Sequence, residues 1–428
     1  MKFCVETLGC KVNQYETQSL ESILTSRGHT LSSPGGHCDV CIINTCAVTA
    51  ESARKSRQAV RRMKKLEPDA LIAVCGCLSQ LEPEKALPLG ADLVGGSGGR
   101  AKFADEIERL FKERQFKIVA DDPFERRFFE ELPPGGGAGR TRAMLKIQDG
   151  CENFCTYCII PRARGKSRSL PVERAAINAR RLADEGFREI VITGIEISSY
   201  GKDLPGGPTL IDAVRAIGGA SPSARLRIGS LDPGAMSDSF CRELSGISNL
   251  CGHFHLSLQS GCNETLRRMG RRYDTHAVLK AISSLRRFFP DCGVTADLIV
   301  GFPGETDEEF DTTLEFIKSA KFSDMHIFPF SPRPGTPAAI MPDQVEKSVR
   351  RERASLAAGV AVEMSRAFRL GQIGKIVGTL IERERGGFWT GHSENYLEIS
   401  LKSGGTKNSV HSVQITGIEN GVVWGEFV

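Results

Sequence analysis

The 428-residue sequence predicts an α/β protein in three parts: an N-terminal open parallel α/β domain, a partial barrel of six β/α units, and a small C-terminal antiparallel β-barrel. Three observations carry this. The length exceeds what a single hydrophobic core serves, so several domains are expected. Up to about residue 335, apolar strand-like runs alternate with helical stretches, the rhythm of parallel sheets. From about residue 369 the helical period gives way to short β-rich runs broken by glycine.

In the first 122 residues the strand candidates are KFCVETLG, DVCIINT, ALIAVCG and ADLVGG, with helical stretches such as AESARKSRQAVRRMKKL between them. The Pro/Gly-rich ELPPGGGAGRTRA at 131–143 marks a boundary, because such a stretch forms few regular contacts. The expected domains are therefore 1–122, 137–367 and 369–428. The middle domain holds six strand candidates, AMLKIQDG, EIVITGI, RLRIGSL, HFHLSLQ, VTADLIVGF and DMHIFPF, an incomplete relative of the eight-stranded barrel. Thr306 and Glu309 fit a capping box before EFDTTLEFIKSA, and EKSVRRERASLAAGVAVEMSRAFRL reads as one long helix. The closing runs KIVGTLIERER, GFWTGHS, YLEISLKS and SVQITGIENGVVWGEFV read as a small barrel.

With 40% hydrophobic and 25% charged residues the composition is that of a globular protein, and no apolar run reaches bilayer length. No membrane association is expected. MKFCVETLGCKVNQYET lacks a charged segment followed by a long apolar stretch, which predicts a cytoplasmic protein with reduced thiols. Fourteen cysteines in such a chain point to metal binding or redox chemistry. The net charge of +4 permits nucleic-acid binding without arguing for it.

The strongest chemical signal is DGCENFCTYCIIP, just past the first barrel strand, with Cys151, Cys155 and Cys158 spaced Cys-x3-Cys-x2-Cys. Three thiolates in one loop can each hold one iron of a 4Fe-4S cluster and leave the fourth iron free for a small chelator. S-adenosylmethionine (SAM), through its amino and carboxylate groups, is such a chelator, and the spacing and placement resemble the radical-SAM superfamily. A zinc loop competes poorly, since the fourth ligand it needs is absent nearby; His253 and His255 could reach only through the fold. Barrel strands present their C-terminal ends to one mouth, which predicts Gly194, Glu196, Ser257, Gln259 and Asp297 around the SAM pocket. Plainer readings compete: Ser257 and Gln259 as a polar layer inside the barrel, Asp297 as a paired core carboxylate, Gly301 to Glu305 as turn chemistry.

In the first domain Cys10, Cys46 and Cys77 each fall at or beyond the C-terminal end of a different predicted strand, where open parallel sheets bind ligands. A second cluster with one open iron suits three converging thiols. Cys75, two residues before Cys77 and read on the same strand face, competes with it. Cys38 and Cys41 form a CxxC read as structural, and Cys4, Cys241, Cys251, Cys262 and Cys292 show no constellation.

Taken together, TLGCKVNQYET, NTCAVTAESARKSRQ, GCLSQ, IQDGCENFCTYCIIPRARG, SLQSG, IVGFPGETDEEF and PFSPRPGTPA resemble the radical-SAM methylthiotransferases over nearly the full length. The resemblance implies two 4Fe-4S clusters, the auxiliary one on Cys10, Cys46 and Cys77, and a C-terminal TRAM-like barrel that binds RNA. It also implies two uses of SAM: one methylates a sulfur at the auxiliary site, and the other furnishes the radical that takes hydrogen from an unactivated carbon. Acid–base groups cannot activate such a bond, which accounts for the missing catalytic triad or carboxylate pair. The family's branches act on isopentenyladenosine in tRNA, on threonylcarbamoyladenosine in tRNA, or on a ribosomal-protein aspartate. TLGCKVNQYET, LKIQDGC and HIFPF resemble the threonylcarbamoyladenosine branch. In ITGIEISSYG, Glu196 departs from the His of the family pattern, which leaves its role open. The implied partners are tRNA, SAM and a flavodoxin- or ferredoxin-type electron donor. The sequence is silent on oligomeric state.

RNA binding has its own signals. Between Glu51 and Glu67 the helix carries Arg54, Lys55, Arg57, Arg61, Arg62, Lys64 and Lys65, beginning just after Cys46. Arg162, Arg164, Lys166 and Arg168 make a second basic run expected at the mouth. From Arg369 onward, six Lys/Arg balance six Glu, so the last barrel would use a local face, with Phe388, Trp389 and Tyr396 as stacking groups or as core. A non-catalytic iron–sulfur RNA-binding protein is the alternative of a different class.

Overall fold

The structure is a computed structural model that describes residues 1–134, 141–402 and 404–428. Six strands, β1 (Lys2–Thr7), β2 (Thr30–Leu31), β3 (Val40–Thr45), β4 (Leu71–Gly76), β5 (Leu93–Val94) and β6 (Lys117–Ile118), form one parallel sheet in the order β2-β1-β3-β4-β5-β6. Strands β3 and β4 are buried end to end, which is why their sequences run continuously apolar. Helices α1 (Lys11–Ser26) and α4 (Arg100–Glu113) cover one face, packing Leu20, Leu24, Phe103 and Ile107 on Phe3, Val40 and Ile42. Helix α2 (Ala50–Leu66) covers the other, setting Val60 and Met63 on Ile43 and Ile72. A short helix, α3 (Cys77–Leu81), leaves the end of β4.

The middle domain forms the six predicted units. Strand β7 (Arg142–Lys146) is followed by the short pair β8 (Gln148–Asp149) and β9 (Arg168–Ser169), then by β10 (Glu189–Thr193) and β11 (Arg225–Ile228). Strands β12 (Ser230–Leu231), β13 (His253–Gln259), β14 (Gly293–Val300) and β15 (Asp324–Pro329) complete the arc. The parallel sheets β11-β10-β7 and β12-β13-β14-β15 adjoin where Gly229 alone separates β11 from β12. The predicted start at residue 137, and 135–140 of the Pro/Gly-rich stretch, lie outside the described residues. The arc stays open between β7 and β15, and the N-terminal domain spans that gap: Lys146 Nζ, at the end of β7, donates to Glu16 Oε1 (3.2 Å), and Ala50 N–H donates to Ser331 Oγ (2.8 Å) just past β15. Thr306 and Glu309 make the predicted capping box, and the long helix runs Lys347–Leu370.

The C-terminal strands β16 (Ile376–Arg385), β17 (Phe388–Ser393), β18 (Glu398–Leu401), β19 (Val410–Glu419) and β20 (Val422–Phe427) close into a barrel in the order β16-β17-β18-β20-β19. Four neighbouring pairs are antiparallel as expected, while β18 and β20 run parallel. An odd number of strands cannot alternate direction all the way round a ring, so one pair has to match. This barrel docks on the strand starts of the larger one, where Arg225 donates to Gly378 O (2.8 Å) and Arg227 to Ser393 O (3.1 Å).

Candidate metal centre

The loop that carries Cys151, Cys155 and Cys158 runs from β8 to the helix Ile160–Arg164. Gly150 starts it with φ at +75°; a Cβ there would stand 1.9 Å from Lys166 O, so only glycine lets the loop lie this close to its returning end. Cys151 N–H donates to Gly165 O (3.0 Å), Thr156 N–H to Met269 O (3.0 Å), and Ala338 N–H to Thr156 O (2.9 Å), which fixes the loop from three sides. Asn153 N–H approaches Cys151 Sγ (3.5 Å), and Arg271 Nη1 donates to Cys155 Sγ (3.2 Å). Burial pushes the Cys151 thiol up to about 11 and Cys158 to about 12, so these sulfurs hold protons until a metal displaces them.

Cys10 caps the start of α1, Cys46 follows β3, and Cys77 begins α3. Gly9, at φ +106°, lies so close to Cys46 that a Cβ would stand 3.0 Å from its Sγ. Burial pushes Cys77 up to about 12, and the charges of both Cys10 and Cys46 reach it, so the three thiols are mutual neighbours. The structure separates Cys77 from Cys75. Gly76, at φ +107°, turns the chain at the end of β4, so the two do not share a face: Cys75 packs into the core beneath α1 and α4, whereas Cys77 packs against Ile159 and Ala163, next to Cys158.

The donor sets fit iron–sulfur clusters. Neither trio brings three sulfurs within 4.8 Å of one another, the spacing that would let them share one ion. Thiolates on separate corners of a cube stand farther apart than thiolates on one zinc. One charge-bearing N–H donor, Arg271 Nη1, already reaches Cys155 Sγ, the kind of contact that tunes a cluster's potential.

A buried ionic network joins the two trios. Arg164, the last residue of the helix after Cys158, donates to Glu16 Oε1 (2.7 Å), Asp149 Oδ1 (3.0 Å) and Asn13 Oδ1 (2.9 Å) with no exposed side-chain surface. Glu16 also takes Arg100 (3.0 Å) and Lys146 (3.2 Å), and Asn13 donates to Leu8 O (2.8 Å) and Thr45 O (3.1 Å), beside Cys10 and Cys46. The basic run 162–168 is thereby corrected as an RNA surface. Arg164 and Arg168 lie in the domain seam, paired with acids, and only Arg162 and Lys166 are exposed.

Gly194 and Glu196 follow β10. Gln148 Oε1 accepts from Ile195 N–H (3.0 Å) and Glu196 N–H (2.8 Å), and Asn153 Nδ2 donates to Glu196 Oε2 (3.2 Å), which ties this turn to the cysteine loop. Burial, then the nearby Asp232, raises the Glu196 carboxyl. Leu256 and Leu258 face the outer core, so Ser257 and Gln259 turn to the lumen. A bulge ends this strand, with Gln259 at φ +68°. Asp297 also faces the lumen but pairs with His255 Nε2 and His326 Nδ1, both at 3.1 Å. Burial favours its neutral form, and the two imidazoles overcome that and lower it.

Sequence reasoning missed Arg271. It lies in MGRRYD after a short helix, and its Nη2 donates to Asp232 Oδ2 (2.9 Å) while Nη1 serves Cys155. Arg271→Leu is expected to shift the potential of the Cys151–Cys155–Cys158 cluster to more negative values, because a positive charge that favours the added electron is removed. An unchanged potential in redox titration would assign Arg271 to the fold alone.

On α2, Arg54 pairs with Glu51 and Arg62 with Glu6, while Arg61 and Lys65 stand exposed without an acid. Tyr396 stays exposed at one edge while it stacks on His253 at 4.6 Å beneath Arg227 (4.7 Å) at the barrel end. Phe388 remains on the outer face, edge-on to Trp424. Cys4, read as solitary, lies 3.2 Å from Cys41 Sγ, with Cys38 completing a buried group of three, because register pairs Cys4 with Cys41 across β1 and β3.

A six-unit β/α barrel bearing this cysteine loop beyond its first strand defines a radical-SAM enzyme. The model of the Radical SAM superfamily matches residues 145–317, and that of Uncharacterized protein family UPF0004 matches residues 2–96. Threonylcarbamoyladenosine tRNA methylthiotransferase MtaB of Bacillus subtilis (strain 168) is 36% identical over 95% of this chain and 91% of its own length. Its namesake in Thermotoga maritima is 36% identical over 98% and 95%. tRNA-2-methylthio-N(6)-dimethylallyladenosine synthase of Symbiobacterium thermophilum is 32% identical over 88% and 83%. The radical S-adenosylmethionine methyltransferase TsrM from Kitasatospora setae shares the fold at 14% identity, with a TM-score of 0.58 over 79% of this chain and 75% of that one. The chain belongs to the radical-SAM methylthiotransferase family, whose chemistry uses SAM and 4Fe-4S clusters. Among the described residues no helix is long and apolar enough to cross a membrane.

Proposed function

We propose that this chain places a methylthio group on ring carbon 2 of N6-threonylcarbamoyladenosine, just 3′ of the anticodon in tRNA. The observation that carries the reading is that the two cysteine trios flank one seam, where Cys77 shares an apolar cluster with Ile159 and Ala163, just after Cys158, and Arg164 reaches Glu16 and Asn13. Cys151, Cys155 and Cys158 hold the radical-SAM cluster, and Cys10, Cys46 and Cys77 hold the auxiliary one. When bound, the two clusters and SAM supply the electron, the radical and the methylthio sulfur. The remaining work falls to the chain. Gly194, Glu196, Ser257 and Gln259 line the SAM pocket, and Asp297 enters the same lumen through its histidines. Arg164 and Glu16 keep the trios at a fixed separation. The exposed cations of α2, which starts within a turn of Cys46, hold RNA phosphates beside the reacting centre.

All fourteen cysteines are free, in keeping with a reducing cytoplasm and a flavodoxin- or ferredoxin-type electron donor there. Mass spectrometry of tRNA nucleosides from a strain lacking the gene, then from the restored strain, tests the substrate. Loss and return of 2-methylthio-N6-threonylcarbamoyladenosine is the expected result. Loss of the isopentenyl analogue, or of the ribosomal-protein modification, would instead move the chain to another branch of its family.

A further inference from the structure

A cavity of about 510 Å³ occupies the lumen between the six-unit barrel and the C-terminal barrel, lined by His253, His255, Thr295, His326, Tyr396 and two cations, Lys11 and Arg369, of which Arg369 donates to Gly421 O (3.2 Å). Its volume falls within the range of roughly 300–1,000 Å³ that suits a small ligand. Lys11 is half-buried and opens α1 directly after Cys10. Among the described residues its ammonium has no carboxylate or other hydrogen-bond partner. The carboxylates nearest in influence are already taken: Glu189 by Arg142, Arg225 and Arg227, and Asp297 by His255 and His326. Asp324 and Glu398, also on the lining, face solvent, and Glu398 pairs with Arg383. A half-buried cation left over in a polar cavity is a place for an anion brought by a ligand.

We propose that Lys11 determines substrate specificity by receiving the carboxylate of the threonylcarbamoyl substituent, the group that separates this substrate from an uncharged isoprenoid one. The inference rests on the functional reading above and names the part of the nucleoside that the lumen takes. Its geometry agrees with the chemistry: only ring nitrogen 1 stands between carbon 2 and the substituted carbon 6, so substituent and reacting carbon share one side of the base. Lys11 shares a peptide bond with Cys10, at the site that delivers sulfur to carbon 2.

The test uses an anticodon stem-loop carrying threonylcarbamoyladenosine and the same RNA with that carboxylate converted to a carboxamide. Both are offered to reconstituted wild type, Lys11→Met and Lys11→Arg. Wild type is expected to prefer the acid in KM by about ten- to hundredfold. Lys11→Met loses that preference with unchanged iron content, and Lys11→Arg regains part of it. A Lys11→Met protein that still prefers the acid, or that weakens both RNAs equally as a lost phosphate contact would, overturns the inference while wild-type turnover leaves the functional reading standing. Wild type that modifies only dimethylallyl RNA overturns both.

Discussion

Glu16→Ala is expected to destabilise the protein by about 3–5 kcal/mol, because it strands Arg100, Arg164 and Lys146 around a lost carboxylate in a seam with almost no exposure. Asp149 still meets Arg164 and Lys146, but Arg100 keeps only Gly96 O. The same carboxylate makes the fold acid-sensitive. Burial by itself would raise its pKa, and Arg164, Lys146 and Arg100 together hold it down at about 2, against an ordinary 4.5. A depressed carboxyl stabilises the fold fully above its unfolded value and loses that contribution as pH falls from about 4.5 toward 2. Denaturant midpoints of wild type and Glu16→Ala across that window should converge on acidification. A cost under about 1 kcal/mol at neutral pH, the range of a surface pair, would show that the seam is hydrated.

Cys77→Ala and Cys75→Ala should part completely. Cys77 points across the seam to Ile159 and Ala163, and Cys75 points into the apolar core under α1. Cys77→Ala is expected to abolish methylthiolation and spare reductive SAM cleavage, since the Cys151 loop is untouched. Cys75→Ala deletes one small buried sulfur, costs about 1 kcal/mol of packing, and leaves turnover in place. Assays of both products from the two purified variants give the answer. The reverse pattern would reassign the third auxiliary ligand to Cys75.

Much of this was legible in the sequence because it is local. Strand runs such as VCIINT, the Thr306–Glu309 cap and the spacing of Cys151, Cys155 and Cys158 each need only a few neighbouring residues to be read. What stayed hidden depends on partners far along the chain. Arg164 and Arg168 sit in a run that looks solvated; their acids are Asp149 on a short strand and Glu16, which belongs to the other domain. Tyr396 is a surface aromatic in the structure too, but its stacking on His253 appears only once the C-terminal barrel is docked. The pairing of Cys4 with Cys41 follows from strand register, which spacing does not reveal. Arg271 carries no motif of its own, and its role appears only when Cys155 and Asp232 are brought to it. In the sequence Asp297 fits a pocket group or a paired carboxylate equally; its two partners come from β13 and β15.

The central claim is that two separate cysteine trios each hold a cluster. Mössbauer spectroscopy with iron analysis of anaerobically reconstituted protein tests it most directly. The account predicts about eight irons per chain, all in 4Fe-4S form, and about four in either triple variant, one lacking Cys10, Cys46 and Cys77 and the other lacking Cys151, Cys155 and Cys158. About four irons in the wild type, unchanged when Cys10, Cys46 and Cys77 are removed, would contradict it.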